Sequence, residues 1–520
     1  MKNNLIANLI GDKKSVRNKL LALSLTLSLG FTFAQEQYSR VTIYATNVQL
    51  VEIAELGIPT DHGKHKNDYS LTTDLSAHDI QKLEDYGYDF DIIVEDVKEH
   101  FLATKDQPLL KKGKAGECGG GGAINAFDPV TPDNFELGSY AGYFTYQEML
   151  DNLDSMRSKY PSLISVKAPI SSFLTHEGRP IHWVRLSDNP DTDEAEEEVL
   201  YSAIHHAREP MSLSQTIFYM WWLLENYGTD DEVTYLVDNT EMYFVPMLNP
   251  DGYIHNEDND PGGGGMHRKN KNPAVGSWNP GVDLNRNYPY HWDEAGTSPD
   301  ENDDTYAGSG PFSEPETQAM EWFCLNHDFK FAFNAHSHGD LILFPIGWSS
   351  TEFADDHDYF VQYGNHMVVY NNFQNQKATD LYPAAGDSDD YMYIDYPGKP
   401  KIFAMTPEVG DAFWPSSGAI DPTCKEMVWS NKTLAHMPHI YGVLYDTEPN
   451  QIEDMSGEFD YDMERLGLTD GDITVTATAL EGIETIGGPN VHSLTLGEIE
   501  SASVSYTLNS GIVFGDPIVY

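Results

Sequence analysis

Residues 38–45 (YSRVTIYA) alternate apolar and polar side chains with a period of two, which predicts a strand. Leu75 to Tyr86 repeats its apolar positions at helical spacing, and Phe90 to Val94 (FDIIV) reads as a second strand, so the first hundred residues predict a small α+β unit. From Phe135 the pattern lengthens. Thr145 to Tyr160 is an amphipathic helix stopped by Pro161, Glu198 to Ile204 (EVLYSAI) is a strand of the fully buried kind, and Ser212 to Tyr227 is a strongly apolar helix. Met242 to Leu248, Phe329 to Asn334, Asp340 to Pro345 and Lys401 to Met405 predict further strands, and a last helix is expected around Lys425 to Val443. Strands alternating with helices predict an α/β fold, a central mixed β-sheet flanked by helices, with ligands gathering beyond the carboxyl ends of the strands.

Between these blocks the chain is punctuated. Leu109 to Lys114 is basic and Gly119 to Gly122 is a glycine run, a tether that suits either a removable prosegment or an ordinary interdomain linker. The acidic segment from Asp446 to Asp460 reads as a second linker. Ile473 to Ala479, His492 to Leu496 and Ser501 to Leu508 alternate like short strands of a sandwich that ends in mid-pattern. The expected division is a signal peptide over 1–34, an α+β prosegment and tether over 35–118, a catalytic domain over 119–446, and an acidic linker with an all-β module over 447–520.

The leader carries Lys13, Lys14, Arg17 and Lys19 before an uncharged run from Leu20 to Phe33, the build of a secretory signal, too short for a membrane span. A secreted or periplasmic protein with no membrane span is therefore expected. Lys plus Arg number 31 against 82 Asp plus Glu, a net charge of −51, which argues against nucleic-acid binding because phosphate is repelled. Three cysteines, Cys118, Cys324 and Cys424, exclude a disulfide scaffold.

Chemistry-bearing residues gather where predicted strands stop. Ile204 is followed by His205, His206, Ala207, Arg208 and Glu209; Ala335 by His336, Ser337 and His338; Pro407 by Glu408. Imidazole and carboxylate are ordinary zinc donors, and a catalytic zinc takes three protein ligands with one position left open. Spacing alone does not choose between His205 and His206, or between His336 and His338.

This constellation resembles the zinc metallocarboxypeptidases of the carboxypeptidase A and B type over roughly Phe135 to Tyr445. Five further blocks occur in the family order: Met266 to Asn270, Gly281 to Asn287, Gly310 to Thr317, Leu381 to Gly386 and Thr406 to Gly410. The resemblance implies one catalytic zinc ion held by His206, Glu209 and His336, with Glu408 as general base and Arg268 as oxyanion stabiliser. It also implies Asn285 and Arg286 as the clamp on a substrate's terminal carboxylate, Tyr382 as the tyrosine that closes over it, and Arg208 as a contact further from the cleaved bond. His205 and His338 are left as outer neighbours of the metal or solvent-facing groups.

Seven residues past Tyr382 the family sets the floor of the specificity pocket, here Asp389. An acid there implies a B-like preference for C-terminal Lys or Arg, since an apolar side chain would leave it desolvated and unpaired. Asp387 and the long connection from Asp395 to Lys401 depart from the pattern and could reshape the pocket. The expected partners are peptide or protein C-termini, with the oligomeric state open. The alternatives are a same-fold amidohydrolase acting on cell-wall peptides and an inactive peptide-binding relative.

Overall fold

The computed structural model describes residues 36–66, 69–107, 127–371, 373–449 and 451–520. The expected signal peptide, the glycine tether and Cys118 lie outside them. The N-terminal unit contains β1 (Tyr38–Ile43), α1 (Asn47–Glu55), β2 (Lys64–Lys66), β3 (Ser70–Ser76), α2 (Ala77–Tyr86), β4 (Phe90–Val94) and α3 (Val97–Thr104). Its antiparallel sheet runs β2-β3-β1-β4. Thr46 and Ser76 each begin a helix with a capping box, satisfying amides that the first turn leaves unpaired.

The large unit follows with α4 (Tyr146–Lys159), β5 (Ala168–Leu174), β6 (Pro180–Leu186), β7 (Glu197–Ala203), α5 (Pro210–Asn226), α6 (Asp231–Asn239), β8 (Thr240–Val245) and α7 (Pro250–Asn259). It continues through α8 (Pro315–Asn326), β9 (Phe329–Ala335), β10 (Leu341–Phe344), α9 (His357–Met367), β11 (Gln374–Lys377), α10 (Ser388–Tyr393), β12 (Phe403–Glu408) and α11 (Ser417–His436). The strands form one eight-stranded mixed sheet in the order β11-β10-β12-β9-β7-β8-β6-β5. Its centre, β12-β9-β7-β8, is parallel.

Parallel strands buried on both faces need apolar side chains in both directions, and the sequence supplies them. Val199, Tyr201 and Ala203 of β7 enter the core on one face, with Phe331, Phe333 and Met405. Leu200 points the other way, with Tyr243, Ala332 and Ala404. The apolar α5 lies against the first core, where Met211, Ile217, Phe218 and Trp221 are buried.

Several boundaries move from the expected ones for local reasons. The strand at 242–248 is Thr240–Val245, because Pro246 has no N–H for the ladder. The strand at 401–405 is Phe403–Glu408, its end held by β10 through Ile342 opposite Pro407 and Leu341 opposite Glu408. The last helix starts at Ser417 and ends at His436; Pro422 disguises its early turns in the sequence, and Pro438 stops it.

The C-terminal module has β13 (Gly442–Asp446), β14 (Ser456–Arg465), β15 (Ile473–Val475), β16 (Ile483–Ile486), β17 (Asn490–His492) and β18 (Ile499–Leu508), in sheets β13-β14-β18-β16 and β15-β17. Phe459, Tyr461 and Met463 alternate into its small cores. The segment read as an acidic linker therefore already contains the start of β14. β13, on the catalytic side of the boundary at 446, pairs with β14. Cys324 and Cys424 are buried free thiols. Among the described residues no helix is long and apolar enough to cross a membrane.

Candidate active site

The sheet delivers its chemistry at the carboxyl ends of β7, β9 and β12. After Ala203 the chain turns sharply: Ile204, a β-branched residue, is held at φ +55°, a conformation costing on the order of 1–3 kcal/mol that persists only where its surroundings enforce it. That turn presents His205 and His206, and Glu209 stands at the head of α5 before Pro210. β9 and β12 run side by side until His336 pairs with Glu408, His336 N–H donating to Pro407 O (2.9 Å) and Val409 N–H to His336 O (2.9 Å).

Three donor side chains converge there in full burial. His206 Nδ1 lies 2.7 Å from Glu209 Oε1, His336 Nδ1 lies 2.9 Å from Glu209 Oε2, and the two imidazole nitrogens are 3.1 Å apart. Burial alone would raise the Glu209 carboxyl, but His206, His336 and His62 outweigh it and hold the group well below the carboxylate range. Two imidazoles and a carboxylate, closely opposed and cut off from water, fit a divalent cation better than they fit one another: a pair of imidazole nitrogens shares at most one proton between them.

Asp283 is one site residue that the sequence does not mark. Its Oδ1 lies 3.1 Å from His206 Nε2 and its Oδ2 accepts from Arg268 Nε (3.0 Å) and Nη2 (2.8 Å), so one carboxylate orients both a metal donor and the arginine beside it. The position stands inside the Gly281–Asn287 block, where attention falls on Asn285 and Arg286. His205, fully buried, has Nε2 3.0 Å from Tyr288 Oη and its ring stacked on His336, so of its two expected settings the structure gives the outer neighbour of a metal donor. His338 is also buried, its ring nitrogens without a hydrogen-bond partner among the described residues, packed edge-on to Phe413.

Glu408 is buried, and its carboxyl is pushed well above the usual range, first by burial and then by the charges of Glu209 and Asp61. Arg286 donates from Nε to Gly296 O (2.9 Å) and from Nη1 to Asn285 O (2.8 Å), while Nη2 meets the Tyr382 hydroxyl. Asn285 accepts from Ser388 N–H (2.9 Å). Tyr382 is buried in an apolar cluster that includes Ala54 of α1. Arg208 is paired with Asp304 (2.8 Å) and lies over Phe413, beneath Tyr38 of β1.

One narrow cavity connects much of this site, lined by His206, His336, Arg286, Tyr382 and Glu408 and continuing to Asp387, Asp389 and Asp390. Asp389 accepts from Asn334 Nδ2 (2.7 Å) and Thr406 Oγ1 (2.8 Å). Burial and the charge of Asp387 push its carboxyl up to about 8. Asp390 is satisfied by Gly347 and Trp348 amides, whereas Asp387 Oδ2 has no hydrogen-bond partner among the described residues. The long 395–401 connection does not line this cavity: Lys399 bonds back to Met392 O and Ile394 O, and Lys401 pairs with Asp356.

The N-terminal unit contributes Asp61 and His62 to the lining of this cavity. Asp61 Oδ2 accepts from Arg268 Nη2 (2.5 Å) and Arg286 Nη2 (2.9 Å). His62 follows it into the donor cluster.

An α/β sheet carrying two imidazoles, one carboxylate donor and a buried glutamate at its strand ends, with two guanidiniums brought beside them by the segment between α7 and α8, defines a metal-dependent hydrolase. A family model described as zinc carboxypeptidase matches residues 149–430, and the chain belongs to that family. It is a zinc metallocarboxypeptidase, and zinc is its cofactor. It is 29% identical over 321 residues to carboxypeptidase A1 of Sus scrofa, covering 60% of this chain and 70% of that one. It is also 29% identical over 300 residues to a zinc carboxypeptidase of Saccharothrix mutabilis subsp. capreolus, covering 55% and 66%. Its fold matches the crystal structure of carboxypeptidase A from Helicoverpa armigera with a TM-score of 0.59 at 22% identity, over 77% of this chain and 97% of that one.

Proposed function

We propose that this chain is an exported carboxypeptidase that removes single C-terminal residues, preferring Lys and Arg, and that residues 35–118 are an inhibitory prosegment. The observation that carries the preference is the cavity running from Arg286 to Asp389. A substrate's terminal carboxylate held by the guanidinium would direct its side chain toward three buried acids, one with an unpartnered oxygen. A cationic side chain offers those acids a counter-charge; an apolar one buries them without one.

His206, Glu209 and His336 would hold the zinc, which supplies a Lewis acid that polarises a water molecule and the scissile carbonyl. Glu408, adjacent to the donor cluster, takes the proton of the attacking water and returns it to the leaving amine. Arg268, fixed by Asp283, offers positive charge where the carbonyl oxygen becomes negative. Asn285, Arg286 and Tyr382 hold the carboxylate; Arg208, assigned to a more distant substrate contact by the family resemblance, is buried against Asp304 and Phe413 and does not line the cavity. Asp61 supports the prosegment reading, because its carboxylate already sits between Arg268 and Arg286 as a product's would.

The test is a comparison of kcat/KM for peptides ending in Arg, Lys, Phe, Leu and Glu, using chain cleaved at the tether, with and without a chelator. Arg and Lys are expected to lead, with chelator abolishing turnover. A lead for Phe would overturn the role of Asp389. Glu408→Gln that retained both zinc and full turnover would overturn the assignment of the base.

A further inference from the structure

One imidazole in the donor cluster comes from outside the catalytic domain. His62 stands in the turn between α1 and β2 and is 2% exposed. Its Nε2 lies 3.3 Å from Glu209 Oε1 and its Nδ1 lies 3.3 Å from Glu408 Oε2. The ring meets His206 edge-on at 5.5 Å and packs against His338 and Phe413.

The turn that delivers it is fixed on both sides. Asp61 is anchored by Arg268 and Arg286, and Gly63 donates its N–H to His338 O (3.0 Å). Gly63 adopts φ +120°, and a Cβ there would come within 2.3 Å of Thr72 O, so the close approach requires glycine.

The geometry is that of a ligand rather than of a plug. His62, His206 and Glu209 each offer a donor atom within 4.8 Å of one another. Two ligands of a tetrahedral zinc with bonds of about 2.0–2.1 Å are about 3.3 Å apart, the separation found between His62 and Glu209. Nδ1 faces the Glu408 carboxylate, the arrangement in which a metal-ligating histidine keeps its proton on the outer nitrogen and turns the other nitrogen's lone pair inward. That inner nitrogen also lies 2.6 Å from Arg268 Nη1. Arg268 has Asp283 and Asp61 as further partners, so it stays paired when the lone pair turns to a cation.

We propose that His62 is a fourth, removable ligand of the zinc in the chain that retains its prosegment. A catalytic site with three protein ligands and an open position thereby becomes a closed four-ligand site of the structural kind. Asp61 shuts the carboxylate clamp in the same stroke. The proposal rests on the zinc carboxypeptidase reading and adds to it a ligand lost when the prosegment departs.

X-ray absorption at the zinc edge of the uncleaved full chain tests this without relying on activity. Three imidazoles per zinc are expected in the wild type and two in His62→Phe, which keeps a ring against His338 but has no donor. Zinc release to a chelator should be at least ~tenfold faster in His62→Phe, given that even outer partners of zinc ligands are worth that much. Two imidazoles in the uncleaved wild type, with one zinc bound, would overturn the ligand and leave the enzyme reading standing. An equal count in both chains would do the same. Failure of the wild type to bind zinc stoichiometrically would overturn both. The wild-type count needs no variant, so a folding defect in His62→Phe cannot hide the answer.

Discussion

His206 and Asp283 are joined through His206 Nε2, 3.1 Å from Asp283 Oδ1, which leaves Nδ1 as the nitrogen that faces Glu209 and His336. The carboxylate therefore sets which nitrogen of the imidazole is free for the metal. It also holds Arg268 through two bonds. Asp283→Asn should weaken zinc binding by ~10–100-fold, the usual effect of removing a ligand's outer partner. Chelator competition measures it; an unchanged zinc affinity would remove Asp283 from the metal's support.

The strand ends were legible because burial imposes a sharp contrast there. EVLYSAI cannot stop at His205 and His206 without placing polar groups at a sheet edge, and the same holds for His336 and Glu408. The fold's alternation was legible for the same reason. What escaped were relationships that depend on distance in space: Asp283 against His206, and Asp61 with His62 against Arg268 and the donor cluster, contacts spanning 77 and 207 residues for His206–Asp283 and Arg268–Asp61. No local pattern around Thr60–Gly63 marks it as a partner of the sheet edge. β14 was missed because its outward positions are acidic, so a half-exposed strand reads as a charged linker.

Asp61 makes latency testable apart from His62. Its carboxylate pairs with two buried guanidiniums, and Asp61→Ala leaves Arg286 without that carboxylate partner, while Arg268 keeps Asp283, and vacates the clamp. The uncleaved Asp61→Ala chain should hydrolyse a small peptide substrate at least ~tenfold faster than the uncleaved wild type, since a charge-assisted hydrogen bond is worth about 1.5–3 kcal/mol. Cleavage at the tether should erase the difference. Equal rates before cleavage would mean that Asp61 does not guard the clamp.

Asp389→Asn addresses specificity. Truncating one partner of a buried charge pair costs about 2–5 kcal/mol, so kcat/KM for a C-terminal Arg peptide should fall by ~30-fold or more. The Phe peptide should be affected far less, because it never used the charge. Asn334 and Thr406 remain as partners for the amide, so the pocket is expected to keep its shape. A parallel fall for both substrates would point to a structural role instead.

The same residue sets a pH dependence whose sign follows from its surroundings. Burial, reinforced by Asp387, raises the Asp389 carboxyl to about 8, against hydrogen bonds from Asn334 and Thr406 that favour the ionised form. Below that pH the pocket is neutral at this position, and above it the pocket carries the charge that a Lys or Arg side chain needs. Because kcat/KM reports the free enzyme, the ratio of Arg to Phe hydrolysis should climb from pH 6, pass its midpoint near pH 8 and level off above it. Stability moves oppositely. A carboxyl raised above its unfolded value of about 3.9 favours the folded state fully below that value, and its contribution is lost as pH rises through about 8. Over the same interval the melting temperature should therefore decline, and Asp389→Asn should flatten both the decline and the climb in the substrate ratio. A substrate ratio that does not vary with pH in the wild type would place the ionisation of Asp389 outside the specificity step.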